Sequence, residues 1–268
     1  MQFVDKSNNK IIISIEGNIG VGKSTFISIL KRKFPEHFGE SCEIIYEPVE
    51  IWTNITDSNG KNILQTFYDD MSRWAYSFQN IACISRMNMM EQAICNSSSK
   101  YIFLDRSLGT DSNVFEAMLY DDGFINKLEH EMYKMWTNFY SKHVRPDIKP
   151  IYIYLKANTK TCMERIEKRN RLEEKSITIE YLKKLEMYHD KWLNNNNNTI
   201  YIDCNDDFES DINKQNKMIL QIKNKLFINS NKINYLYPTN LYPSIGFIIY
   251  MIMLFCFIIF YCKLNFLL

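Results

Sequence analysis

The chain is poor in net charge and in histidine. Its 32 Lys and Arg nearly cancel 31 Asp and Glu, which argues against a bulk electrostatic grip on polymeric nucleic acid, so any phosphate must be bound locally. The four histidines are scattered at 37, 130, 143 and 189 and suggest no histidine metal site. The seven cysteines (Cys42, Cys83, Cys95, Cys162, Cys204, Cys256, Cys262) are an odd number without C-x-x-C spacing and read as reduced thiols of a cytosolic protein. Met1 to Lys10 are mostly polar, and the apolar run after them is too short for a signal peptide; an Arg-rich transit pattern is missing as well.

What is present is a globular chain of 268 residues, 46% apolar and 24% charged, long enough for one sizeable core and cramped for two full domains. Short apolar runs recur at Ile11 to Ile15, Glu43 to Tyr46, Tyr101 to Leu104, Pro150 to Leu155 and Thr199 to Asp203. Read as strands, with helical patterns between them, they predict an α/β fold with a five-stranded parallel sheet and helices on both faces. Ligands of such sheets bind at the carboxyl ends of the strands. Met71 to Cys95 and Glu129 to Tyr140 read as helices, as does Phe208 to Phe227 with Ile212, Ile219, Ile222 and Leu226 on one face. The charged stretch Ala157 to Leu193 breaks near Lys175 to Thr178, and Asn194 to Asn198 reads as an exposed turn.

The far end differs from the rest. Ile245 to Cys262 is an uninterrupted run of 18 apolar, Gly, Tyr or Cys residues, about 27 Å as a helix, which matches a bilayer core. A buried C-terminal helix would normally carry a polar stripe, and none is visible. The expected organisation is therefore a catalytic domain over 1–227, a linker over 228–243, and a transmembrane tail anchor over 244–263 that leaves the domain in the cytosol.

Gly17-Asn18-Ile19-Gly20-Val21-Gly22-Lys23-Ser24 fits G-x-x-x-x-G-K-[ST], follows a predicted strand and opens a helical pattern at Thr25. Such a loop turns its N–H groups toward a phosphate at a helix N-terminus. Lys23 is placed for the β- and γ-phosphates of ATP and Ser24 for Mg²⁺. This names a nucleotide and leaves the acceptor open. Glu47 follows the second strand, where Pro48 fixes an extended turn, and is placed to accept a hydroxyl proton. Asp105-Arg106-Ser107 follows the third: Arg106 can hold a phosphate or orient Glu47, and Asp105 can bind Mg²⁺. Gln79, Ala82 and Arg86, spaced i, i+3, i+7, share one helix face.

Several segments together resemble the deoxynucleoside kinase family: I-S-I-E-G-N-I-G-V-G-K-S-T-F at 13 to 26, Y-E-P-V-E-I-W at 46 to 52, R-W-A-Y-S-F-Q-N-I-A-C-I-S-R at 73 to 86 and D-R-S at 105 to 107. C-M-E-R-I-E-K-R-N-R-L-E-E at 162 to 174, E-Y-L-K-K-L at 180 to 185 and N-D-D-F at 205 to 208 continue the likeness, in family order, over residues 11 to about 227. The resemblance implies transfer of the γ-phosphate of ATP to a deoxynucleoside 5′-hydroxyl in salvage, with Mg²⁺, by a homodimer. It makes Glu47 the general base and Lys23 and Ser24 the P-loop pair. Tyr68 and Glu174 fall where the family holds the sugar 3′-hydroxyl, Gln79 where it meets the base edge, and Phe115 where it stacks on the base. Arg165, Arg169 and Arg171 resemble the lid arginines; Asp206, Asp207 and Phe208 sit where a family loop contacts adenine.

Two departures stand out: animal members carry Glu at the position of Asp105, and often Arg at that of Ser112. The Arg86 and Asp111 pair resembles the arrangement of deoxycytidine and purine kinases rather than thymidine-accepting members, and the stretch Asp105 to Phe115 leans toward the purine enzymes. Two alternatives are a non-catalytic kinase-like subunit of a membrane complex and a nucleoside monophosphate kinase. Retention of Lys23, Glu47 and Arg106 argues against the first; a carboxylate at Glu47, where a substrate phosphate would need cations, argues against the second.

Overall fold

A computed structural model describes residues 10–170 and 177–233, and side chains as far as Leu226. By compactness the chain divides into Met1–Lys225 and Leu226–Leu268. The first unit holds the sheet; of the second, the described part is the end of a helix that reaches Ile233.

In chain order the elements are β1 (Ile11–Glu16), α1 (Lys23–Phe38), β2 (Cys42–Ile45), α2 (Val49–Asn54), α3 (Ile63–Asp69), α4 (Met71–Asn96) and β3 (Tyr101–Asp105). A short α5 (Leu108–Thr110), a π-helical segment Asp111–Glu116 and α6 (Ala117–Asp121) come next, then α7 (Lys127–Phe139) with a second π-helical turn, Tyr140–Val144. β4 (Ile151–Lys156), α8 (Thr159–Arg169), α9 (Ile179–Leu193), β5 (Thr199–Asp203) and α10 (Ile212–Ile233) complete the described chain. The sheet is parallel throughout, in the order β2-β3-β1-β4-β5. Placing β1 between β3 and β4 brings the loops after β1, β2 and β3 to one edge, where the connections diverge and ligands bind.

Alternation along β3 divides the core. Tyr101 and Phe103 meet Phe34 of α1 edge-on at 5.3 and 5.4 Å between ring centroids. Ile102 and Leu104 point the other way and pack with Ile12, Met90 and Ile94 on the α4 side. A strand apolar on both faces requires such two-sided cover, so the predicted layers hold.

Local capping sets the helix starts. Asn62 and Gln65 form a capping box at α3, Asn126 and Glu129 another at α7, and Asp70 accepts the Arg73 N–H at the head of α4. Asn170, left-handed at φ 51°, ends α8, and Thr178 caps α9; the start of the break predicted near Lys175 to Thr178 lies outside the described residues. Asn194 to Asn198 is a largely exposed turn, as read.

Three expectations need correction. α10 begins at Ile212 rather than Phe208, because the Asp207 side chain captures the Glu209 N–H and the Ser210 hydroxyl in a turn while Asp211 accepts from the Lys214 N–H. Ile212, assigned to the buried face, is 64% exposed at that first turn. α10 also runs on to Ile233, into the segment read as a linker. The proposed tail anchor lies outside the described residues; among the described residues no helix is long and apolar enough to cross a membrane.

Candidate active site

The loop between β1 and α1 works because three glycines adopt conformations other residues rarely reach. Gly17, Gly20 and Gly22 have φ of 144°, 78° and 104°. Close approach restricts them further: a Cβ on Gly17 would lie 2.6 Å from the Leu155 carbonyl oxygen, and one on Gly22 2.7 Å from the ring of Phe208. Lys23 Nζ donates back to the Gly17 and Asn18 carbonyls at 3.0 and 3.1 Å, while Ser24 is exposed at the head of α1 and Thr25 lies behind it, half-buried. Burial, then the nearby Arg106, pulls the Lys23 ammonium down to about 8 against the opposing pull of Asp105, Glu47 and Glu16. Asn18 is buried, its side-chain amide donating to the Leu182 carbonyl of α9 at 2.8 Å.

The acceptor side is assembled from distant segments. Arg86 on α4 donates to Glu47 Oε1 at 2.5 Å, to Asp111 Oδ1 at 3.1 Å and to the Asp105 carbonyl at 3.1 Å. Arg106 Nη1 reaches both Glu47 oxygens at 3.2 and 3.3 Å. Burial alone would raise the Glu47 carboxyl, but Arg106, then Arg86 and Lys23, outweigh it and hold it at about 2. Asp111 has the opposite balance: burial dominates over Arg86 and pushes it up to about 6. Arg86 therefore has two carboxylate partners, whereas the sequence suggested one. Trp52, from the same motif as Glu47, backs it: the indole donates to Ser85 Oγ at 3.0 Å and the Arg86 guanidinium lies 5.6 Å from its ring.

Arg106 has φ of 67°, a strained value for a residue with a side chain, and its N–H is held by the Ile15 carbonyl at 3.1 Å. Its guanidinium sits 5.3 Å from the centroid of Phe115, on the π-helical segment that also carries Asp111. Gln79 is buried with Oε1 lacking a partner among the described residues, and so is Asp105 Oδ1. These two oxygens are acceptors held ready inside the site.

The remaining assigned residues are less concentrated. Tyr68 is exposed on α3, near enough to Tyr181 of α9 to act on it electrostatically. Arg165 donates to the Val21 carbonyl at 3.0 Å and to the Asp206 carbonyl at 3.2 Å, with Phe208 5.7 Å from its guanidinium. It thus joins the phosphate loop to the loop after β5. Phe208 is buried under Gly22, Asp206 pairs with Lys214 at 3.0 Å, and Asp207 is exposed. Arg169 lies on the last turn of α8; Arg171 and Glu174 fall outside the described residues.

The family model described as deoxynucleoside kinase matches residues 13–228. The chain belongs to the deoxynucleoside kinase family. Deoxycytidine kinase 2 of Gallus gallus is 34% identical over 242 residues, spanning 80% of this chain and 89% of that protein. Human deoxycytidine kinase is 34% identical over 198 residues, 68% of this chain and 74% of its own. Mitochondrial deoxyguanosine kinase of Xenopus laevis is also 34% identical, over 199 residues and 68% and 72% of the two chains. The chain is thus a deoxynucleoside kinase, a phosphotransferase that uses ATP in nucleoside salvage.

The sequence did not single out Glu16, which is fully buried at the end of β1 and accepts hydrogen bonds from Ser14, Ser107 and Thr110. A carboxylate closing an apolar strand directly before a phosphate loop was the available signal.

Proposed function

We propose that this kinase phosphorylates the 5′-hydroxyl of a deoxynucleoside whose base carries an exocyclic amino group: deoxycytidine, deoxyadenosine or deoxyguanosine rather than thymidine. The carrying observation is Arg86, bonded at once to Glu47 and to Asp111. One guanidinium ties the proton acceptor to the group that reads the base. Asp111, at about 6, is mostly ionised at neutral pH and can only accept. An amino group satisfies it, while the carbonyl of thymine would set a lone pair against it and leave a buried group unpaired, at about 1–3 kcal/mol. Discrimination of about 10²-fold against thymidine follows. The deoxycytidine and deoxyguanosine kinases among the relatives are consistent with that preference.

In this reading Glu47 receives the 5′-proton. A carboxylate held near 2 is a weak base, which suits a loose phosphoryl-transfer transition state where positioning and charge stabilisation dominate. Lys23, Arg106 and the lid residues Arg165, Arg169 and Arg171 stabilise charge on the transferring group. Gln79 and Phe115 hold the base, Tyr68 and Glu174 the 3′-hydroxyl, and the loop of Asp206, Asp207 and Phe208 flanks the adenine of ATP. Asp105 Oδ1, unpartnered among the described residues, and the exposed Ser24 hydroxyl are hard oxygen donors that fit Mg²⁺. When bound with the β- and γ-phosphates, the ion neutralises their charge.

Turnover of labelled ATP with each of the four deoxynucleosides tests the reading; thymidine as the best substrate would overturn the role of Arg86 and Asp111. A homodimer is proposed through the apolar face of α7, where Leu128, Met135, Trp136 and Phe139 are exposed. Light scattering at a monomer mass would refute it. Residues 1–227 are proposed as the catalytic domain and 244–263 as a tail anchor with that domain in the cytosol. Full-length protein released by carbonate extraction would count against the anchor.

A further inference from the structure

Glu16 is fully buried, and the proposed chemistry leaves it unused. Ser14 Oγ donates to its Oε1 at 2.5 Å, Ser107 Oγ to Oε1 at 2.7 Å, and Thr110 Oγ1 to Oε2. Two of these directions are forced by the backbone. Ser107 Oγ already accepts the Gly109 N–H at 3.1 Å, and Thr110 Oγ1 the Ser107 N–H at 3.3 Å, so each hydroxyl has its proton left for Glu16. The capping box of α5 and the carboxylate are one network.

The elements around this network are those that carry the reaction. Ile15, before Glu16, accepts the Arg106 N–H at 3.1 Å; Gly17, after it, accepts from Lys23 Nζ at 3.0 Å. Ser107 follows Arg106 directly, and Thr110 precedes Asp111. Arg106 keeps its strained φ of 67° only if both flanks of the turn are fixed. We propose that Glu16 is a positioning residue for phosphoryl transfer: through Ser107 and Thr110 its carboxylate locks the turn bearing Asp105 and Arg106 in register with the phosphate loop. This rests on the roles proposed above for Asp105 and Arg106.

The chemistry of the network selects the variants. In Glu16→Gln the amide nitrogen must replace one oxygen, and either a hydroxyl loses its acceptor or Thr110 turns over and releases the Ser107 N–H. Thr110→Ala removes one tie and keeps the charge; Thr110→Ser restores the hydroxyl. Because displacing catalytic groups by about 1 Å can cost 10²-fold, kcat should fall about 10- to 100-fold in Glu16→Gln and Thr110→Ala, with each KM within about threefold. Thr110→Ser should recover most of the loss. Wild-type kcat in Thr110→Ala, no recovery in Thr110→Ser, or a loss confined to KM would overturn the proposal. If Glu16→Gln does not fold, the Thr110 pair still decides. An inactive wild-type chain would instead defeat the kinase reading on which the inference stands.

Discussion

The donor and acceptor halves of the site are built in opposite ways. The donor half is one continuous segment, Gly17 to Thr25, whose conformation follows from its own glycines and the helix it opens. The acceptor half joins Glu47, Arg86 and Asp111 across separations of 39 and 25 residues. A local motif can present backbone N–H groups to phosphate anywhere it folds. Recognition of a base and capture of a proton need buried charges of both signs, and those are tolerable only when the whole sheet holds them together.

The largest expected effect breaks each half in turn. Lys23→Ala removes the proposed phosphate cation, and Glu47→Gln removes the proposed proton acceptor while keeping its shape. Each should lower kcat by about 10²-fold or more. The Lys23 loss should be the same for every nucleoside tested. Steady-state turnover of purified variants checks this, and wild-type kcat in Glu47→Gln would remove it from the role of base.

A smaller effect separates the two jobs of Arg86. Asp111→Asn leaves the Arg86 contact to Glu47 in place, so kcat should change little while kcat/KM for an amino-bearing nucleoside falls about 10- to 100-fold and the gap to thymidine narrows. Arg86→Met should lose both selectivity and kcat, because it releases Glu47 as well. Comparing kcat/KM for deoxycytidine and thymidine in both variants is the measurement. An unchanged ratio in Asp111→Asn would show that the base is read elsewhere.

The same contrast explains what could be read from the sequence. Five strands, the phosphate loop and the charged ends of β2 and β3 follow from period and motif, and they fall within a residue of where the chain puts them. The double pairing of Arg86 was hidden because helical spacing tells which residues share a face and not how many partners a guanidinium finds there. Glu16 was hidden for a related reason: its donors Ser107 and Thr110 lie 91 and 94 residues away. Phe208 was assigned to a nucleotide loop by likeness, and only the close approach to Gly22 reveals that its ring underlies the phosphate loop. Even the contiguous donor half is thus backed by a distant residue. The start of α10 failed on local competition, Asp207 holding the chain in a turn before the helix could begin.

The smallest effect is the pH dependence, and it too falls on both halves. For free enzyme, kcat/KM reports the groups that must be in one protonation state before substrate binds. In the role proposed for it, Asp111, raised to about 6, must be ionised to accept from the base, so kcat/KM for an amino-bearing nucleoside should fall as pH drops through that value. Lys23, lowered to about 8, must be protonated to meet phosphate in its proposed role, so kcat/KM for ATP should fall as pH rises through it. Glu47, held at about 2, stays ionised across the whole range and contributes no inflection above about pH 4. The optimum therefore lies between 6 and 8, each limb costing about tenfold per pH unit beyond its pKa. Asp111→Asn should abolish the acid limb and leave the alkaline one unmoved. An acid limb that persists unchanged in Asp111→Asn would mean that Glu47, not Asp111, titrates there, and that the two arginines hold it far less firmly than their distances of 2.5 and 3.2 Å imply.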